Sequence, residues 1–141
     1  MNIIEQEAAA IRAINVTDAF EDAARKMLNC QGRVVTTGIG KAGYIANKFA
    51  ATLSSTGTPA FFIHPAEAGH GDMGMLDTGD LIVAFSTSGK SNEVIEMLEI
   101  AHQLGIDSVI GITSHTDSPL RDLSQIILDM GSDIEEPCPL K

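Results

Sequence analysis

The stretch Leu81-Ile-Val-Ala-Phe85, followed at once by Ser86-Thr-Ser-Gly-Lys-Ser91, decides how this 141-residue chain is read. Five consecutive apolar residues do not alternate between core and solvent, so they describe a strand covered on both faces. The hydroxyl-rich turn leads into Val94, Met97, Leu98, Ala101 and Leu104, spaced as on one face of a helix. Strand, tight turn and amphipathic helix form the unit of a parallel sheet, because parallel neighbours need crossover connections.

The same grammar recurs in both directions. Further β-rich runs are Arg33–Thr37, Ala60–Ile63, Ser108–Thr113 and Gln125–Met130, and Ile45, Ala46, Phe49, Ala50 and Leu53 mark a helix between the first two. Nearer the N-terminus, Ile4, Ala8, Ile11 and Ile14 predict one helix. Asp18 with Glu21 predicts a capping box that opens a second, with Phe20, Ala23, Ala24, Met27 and Leu28 as its apolar face. The expected fold is α/β: a three-layer sandwich around a five-stranded parallel sheet over residues 31–141, preceded by N-terminal helices over 1–30. The length suits a single domain spanning 1–141.

Composition narrows the function. Apolar residues make up 44% and charged residues 20%, enough to bury a core. Nine Lys and Arg against nineteen Asp and Glu give a net charge of −10, which opposes nucleic-acid binding. No apolar run approaches a membrane span, and Glu5 and Glu7 interrupt the start where a signal peptide needs an apolar core. Cys30 and Cys138 lie far apart with no C-x-x-C spacing, which fits a reducing compartment, so a cytoplasmic protein is expected.

Ligands of open parallel sheets gather beyond the carboxyl ends of the strands, which places the turns after Thr37, Ile63, Phe85 and Thr113 on one rim. Gly38-Ile-Gly40-Lys41-Ala-Gly43 matches G-x-G-x-x-G, yet the next strand ends Phe62-Ile63-His64-Pro65, without the acid that would hold a dinucleotide ribose. What remains is a glycine turn at a helix start, suited to an anionic ligand, with Lys41 either adding charge or simply solvated. Ser86–Ser91 offers four hydroxyls and a glycine at a helix N-terminus, a phosphate cradle where a simple cap would need one hydroxyl. It nearly matches a Walker A loop, but Ala84 stands in the place of the first glycine, within the strand, leaving the loop too short for a triphosphate. His64-Pro-Ala-Glu67-Ala-Gly-His70-Gly-Asp72-Met-Gly74 concentrates two histidines and two carboxylates, a set suited to proton transfer. A metal held by His64, His70 and Asp72 is the rival, but their spacing fits no standard motif, and no metal is expected.

Together with Ala50-Ala-Thr-Leu-Ser-Ser-Thr-Gly-Thr-Pro59 and Glu135-Glu-Pro-Cys-Pro-Leu140, these loops resemble the sugar isomerase (SIS) domain, and more narrowly the arabinose-5-phosphate isomerases. The resemblance implies a flavodoxin-like sandwich and a phosphorylated sugar as partner, with Ser86, Thr87, Ser88 and Ser91 on its phosphate and Gly40, His64 and Glu67 beside it. It implies Lys41, His70, Glu93 and Glu136 as the catalytic set. The reaction implied is the aldose–ketose interconversion of arabinose 5-phosphate and ribulose 5-phosphate, a step towards the Kdo sugar of lipopolysaccharide, with no cofactor. A sugar-phosphate-binding module without catalysis is the alternative. Many relatives read Gly-Lys-Ser-Gly-His where this chain has Gly40-Lys-Ala-Gly-Tyr44. After Cys-Pro-Leu the family continues with a Thr/Ser-rich helix and a Ser-His-Pro-Gly-Gly segment, and many members append a CBS pair; the sequence here stops at Lys141. A sheet lacking that helix is expected to expose an apolar patch, to be met by the N-terminal helices or by a partner in a homo-oligomer, dimer or tetramer.

Overall fold

The computed structural model describes residues 2–131. All five expected strands form: β1 (Val34–Gly38), β2 (Ala60–Phe62), β3 (Leu81–Phe85), β4 (Val109–Thr113) and β5 (Ile126–Asp129). They pair in parallel in the order β2-β1-β3-β4-β5, with Val34 between Ala60 and Leu81, and Ile110 beside Ile126. The sheet grows outward in opposite directions from the β1–β3 pair. The right-handed crossovers after β1 and β3 therefore put α3 (Gly40–Ser55) and α5 (Asn92–Gln103) on opposite faces.

Alternate residues of each strand feed two cores, as the two-residue period of a strand requires. Val35, Ile82, Ala84 and Val109 pack with Val94, Met97, Leu98 and Ala101 of α5 and with Ile63, Met73 and Leu120. Val34, Leu81, Val83 and Ile110 pack with Ala23 and Met27 of α2 (Asp18–Leu28) and with Phe49 and Leu53 of α3. The short helices α4 (Pro65–Ala68) and α6 (Pro119–Asp122) complete the α5 side. The other side is less covered. Phe85, Ile112, Ile126 and Leu128 are half-buried there among the described residues. Ile45 and Leu104, read as core positions, are 56% and 52% exposed. Both sit at the rim of a helix face whose neighbours Ala46 and Ala101 take the buried positions.

The N-terminal region corrects one expectation. The capping box belongs to α1 (Ile3–Ala13), where the Asn2 side chain accepts the Glu5 N–H and Glu5 accepts the Asn2 N–H. In α2 the cap is Thr17, whose hydroxyl accepts the Ala19 N–H, so Asp18 is already helical and Glu21 is free to pair with Arg25 one turn on. Helix α1 buries none of its residues, and Ile4 and Ile11 are 77% and 68% exposed.

At the amino edge of the sheet, Asp80 is 1% exposed and holds β1 to β3: its carboxylate accepts the Arg33 N–H at 2.8 Å, the Asp77 N–H at 2.8 Å and the Arg33 guanidinium at 3.1 Å. Burial pushes its pKa up, but these donors outweigh it and leave the carboxyl below its ordinary value. Within β1, the Thr36 hydroxyl donates to Ala46 O and the Thr37 hydroxyl to Ile63 O, both at 2.8 Å, so polar residues at the sheet centre are satisfied. Gly43 lets α3 approach that strand: a Cβ there would lie 2.6 Å from the Gly38 carbonyl oxygen. The last glycine of the fingerprint is thus a packing residue. Among the described residues no helix is long and apolar enough to cross a membrane.

Candidate active site

The rim at the carboxyl ends of the strands is built around the β3–α5 turn. Ser86 is buried; its hydroxyl accepts the Gly89 N–H at 3.0 Å and lies 3.1 Å from the Ser91 hydroxyl. The Ser88 hydroxyl accepts the Lys90 N–H at 3.1 Å, and Thr87 stands exposed. Two of the four hydroxyls therefore shape the turn itself. Gly89 adopts φ +66°, the left-handed region that favours glycine, and packs on Ser118 of the next rim loop. Ser91 precedes α5 without a side-chain cap, which leaves the first-turn N–H groups and the positive end of the helix dipole available to an anion.

The loop between β4 and α6 holds this turn in place. The Ser114 N–H and the Thr113 hydroxyl both donate to Thr87 O, at 3.0 and 3.1 Å, and the Leu120 N–H donates to Gly89 O at 3.1 Å. Arg121 bonds the His115 carbonyl through Nε and the Asp129 carboxylate through Nη2, fixing the loop against β5. That guanidinium, helped by the Gly131 N–H and opposed by burial, lowers the Asp129 pKa. Ser118 Oγ, under Gly89, is buried with no hydrogen-bond partner among the described residues.

Several cavities open at the rim, among them one of about 230 Å³ lined by Ser114, His115, Thr116 and Asp117. A cavity of about 400 Å³ lies between Ala42 and Ile45 of α3, Phe85–Thr87, Ile112–His115 and Met130. A second, of about 200 Å³, is lined by Gly38, Gly40, Gly43, Tyr44, Asn47, Phe62 and His64. The predicted site residues thus fall into groups. Ser86 and Thr87 line the larger cavity, and Gly40 and His64 the smaller. Lys41 is exposed in the first turn of α3, and Glu93 is half-buried in the first turn of α5. His64 is exposed and caps α4 through Nδ1, which accepts the Ala66 N–H at 3.2 Å. Glu67 and His70 are exposed, on α4 and the turn after it, and line neither cavity. Glu136 and Cys138 lie outside the described residues. Among the described residues no three His, Cys, Asp or Glu side chains gather to hold a metal ion. The sequence reading passed over His115, which the structure places on the wall of the larger cavity. Its signal was position: it follows Thr113 and Ser114 in the fourth rim loop.

Residues 27–139 match the SIS domain family. The chain belongs to that family. It is 43% identical over 137 residues to arabinose 5-phosphate isomerase KdsD of Pseudomonas aeruginosa, covering 97% of this chain and 41% of that protein. It is 40% identical over 138 residues to arabinose 5-phosphate isomerase GutQ of Escherichia coli, covering 98% of this chain and 42% of that one. This SIS chain thus spans about two-fifths of the curated relatives it matches. Among solved structures it superimposes with a TM-score of 0.92, at 41% identity, on a candidate phosphosugar isomerase involved in capsule formation from Bacteroides fragilis, covering 98% of this chain and 74% of that one. An Escherichia coli protein solved in complex with arabinose 5-phosphate matches with a TM-score of 0.89 at 33% identity, covering 97% of this chain and 73% of that one.

Proposed function

We propose that this SIS domain binds a phosphorylated pentose and interconverts arabinose 5-phosphate and ribulose 5-phosphate. The observation that carries the reading is the uncapped N-terminus of α5 beneath a turn of four hydroxyls, in a chain over 40% identical along nearly its whole length to an arabinose 5-phosphate isomerase. The phosphate would sit on the Ser86–Ser91 turn, where first-turn N–H groups, hydroxyls and the helix dipole act together. Gly40, His64 and Glu67 stand on the neighbouring turns, where the sugar would extend.

Aldose–ketose isomerisation opens the ring, removes a proton from one of C1 and C2 and returns it to the other. The intermediate is an enediolate whose oxygen carries the developing charge. A carboxylate, Glu93 or Glu136, would carry that proton; Lys41 would stabilise the oxygen, and His70 would serve ring opening. Glu93 enters from the first turn of α5, one turn from the phosphate, so substrate binding would bring the sugar to it. The decisive assay incubates the protein with ribulose 5-phosphate and follows aldose formation. Turnover above background supports the isomerase; none in a stable, folded sample overturns it.

One observation favours a second reading, a sugar-phosphate-binding module without catalysis. The phosphate turn is fully assembled, whereas Lys41 and His70 stand exposed and line neither cavity. A rise in melting temperature with arabinose 5-phosphate, without turnover, would select that reading.

A further inference from the structure

We propose that His115 is a ligand-contacting residue of this site, donating an imidazole N–H to the phosphoryl group held on the Ser86–Ser91 turn. The inference rests on the sugar-phosphate reading above and deepens it.

Three observations converge on this residue. First, His115 borders the larger cavity together with Ser86 and Thr87. The preceding residue touches the phosphate turn directly, through the Ser114 N–H on Thr87 O at 3.0 Å. Second, the backbone of His115 is held while its ring is not. Its carbonyl accepts from Arg121 Nε and its N–H reaches the Thr113 hydroxyl at 3.4 Å. The exposed ring makes no hydrogen bond within the described residues, unlike His64, whose Nδ1 caps α4. A side chain on a fixed backbone with an unused ring N–H, beside an anion turn, is available to a ligand. Third, the chain carries a net charge of −10, so the phosphate needs local donors. Arg121, the cation nearest in the fold to this loop's backbone, is engaged by Asp129 and the His115 carbonyl. Among the residues that line this wall, His115 supplies the side-chain nitrogen donor beside the Ser and Thr hydroxyls, and a charge-assisted bond to a phosphoryl oxygen is among the stronger ones.

The test is calorimetric titration of the wild type, His115→Ala and His115→Gln with arabinose 5-phosphate, plus displacement of that ligand by inorganic phosphate. The Ala variant should bind arabinose 5-phosphate about tenfold more weakly. Inorganic phosphate should weaken as a competitor by a similar factor. The Gln variant, which keeps an N–H donor, should fall between. Melting of the free proteins should be unchanged, since the ring is exposed. Equal affinity of wild type and Ala variant for arabinose 5-phosphate overturns the inference. So does undiminished competition by inorganic phosphate in the Ala variant, which would move the contact away from the phosphoryl group. A wild type that binds no arabinose 5-phosphate removes the sugar-phosphate reading itself, a result distinct from either.

Discussion

Replacing Gly89 by alanine puts the phosphate turn under two separate stresses. The residue sits at φ +66°, which costs a side-chain-bearing residue about 1–2 kcal/mol. The new Cβ would also lie 2.2 Å from Ser118 Oγ, 2.5 Å from Ser118 Cβ and 3.1 Å from Thr113 Oγ1. Relieving that overlap should cost about a further 1–3 kcal/mol, as overpacking does elsewhere. The total, about 3 kcal/mol, should lower the melting temperature by about 10 °C in a chain of this size. The two stresses separate in a double-mutant cycle, because Ser118→Gly removes both of the closest atoms. Gly89→Ala combined with Ser118→Gly should recover the overlap and keep the backbone cost, once the effect of the single glycine substitution is subtracted. Urea denaturation gives the stabilities, and titration with arabinose 5-phosphate gives the consequence for the site. A shifted turn loses the Gly89 N–H bond to Ser86 and the Leu120 N–H bond to Gly89 O, so affinity should fall at least tenfold. A Gly89→Ala protein within about 1 kcal/mol of wild type would refute the argument. So would a double variant that recovers nothing.

Three further outcomes follow from named contacts. Glu93→Gln and Glu136→Gln should each be assayed with ribulose 5-phosphate, and the one that carries the proton should lose about a hundredfold in turnover; undiminished turnover in both would sink the assignment. Asp80→Asn should destabilise the protein by about 2 kcal/mol at neutral pH through loss of charge-assisted bonds. Because the folded carboxyl titrates below its ordinary value, its contribution is present above about pH 4 and is lost as pH falls through the folded pKa. The gap between wild type and variant in urea melts should therefore narrow on acidification, and a constant gap would disprove the linkage. Ser118→Ala removes a buried hydroxyl that has no partner among the described residues, so the free protein should be as stable or about 1 kcal/mol more stable; a clear loss in thermal melts would show that the hydroxyl is satisfied after all.

The sheet was legible in the sequence because its strands are short β-rich runs bounded by turn residues, with Leu81–Phe85 apolar throughout. The rim followed from topology alone, since a parallel sheet delivers every βα turn to the same edge. What stayed hidden is decided by tertiary contacts. Phase along a helix cannot say which edge of an apolar face meets the sheet, so Ile45 and Leu104 looked like core and are exposed. The capping residue of α2 was misplaced by one because Thr17 and Asp18 are both good caps, and only backbone geometry chooses between them. The hydroxyl oxygens of Ser86 and Ser88 also accept the Gly89 and Lys90 N–H groups, a role within the turn that the sequence did not show and that uses lone pairs rather than the O–H donors. His115 went unread for the opposite reason. Its loop, Thr113-Ser-His-Thr-Asp-Ser118, carries hydroxyls but no glycine fingerprint, and its place on the rim marks it.

The distribution of cations bears on how an acidic protein would hold the proposed phosphate. Among the described residues the ion pairs all use arginine: Arg25 with Glu21, Arg33 with Asp80 and Arg121 with Asp129. Each of these arginines serves the fold, two of them holding neighbouring elements together. Lys41 and Lys90, on two glycine-bearing turns of the rim, enter no such pair among the described residues and stay exposed. With a net charge of −10 the long-range field repels an anion, but at physiological salt that field is screened over about 8 Å. Inside that distance the proposed ligand would meet the helix N-terminus, hydroxyls and lysines of the rim instead. The acidic surface therefore does not weaken the site in proportion to its charge. It makes local donors decisive, and among the described residues the ion pairs use arginine and leave Lys41 and Lys90 out.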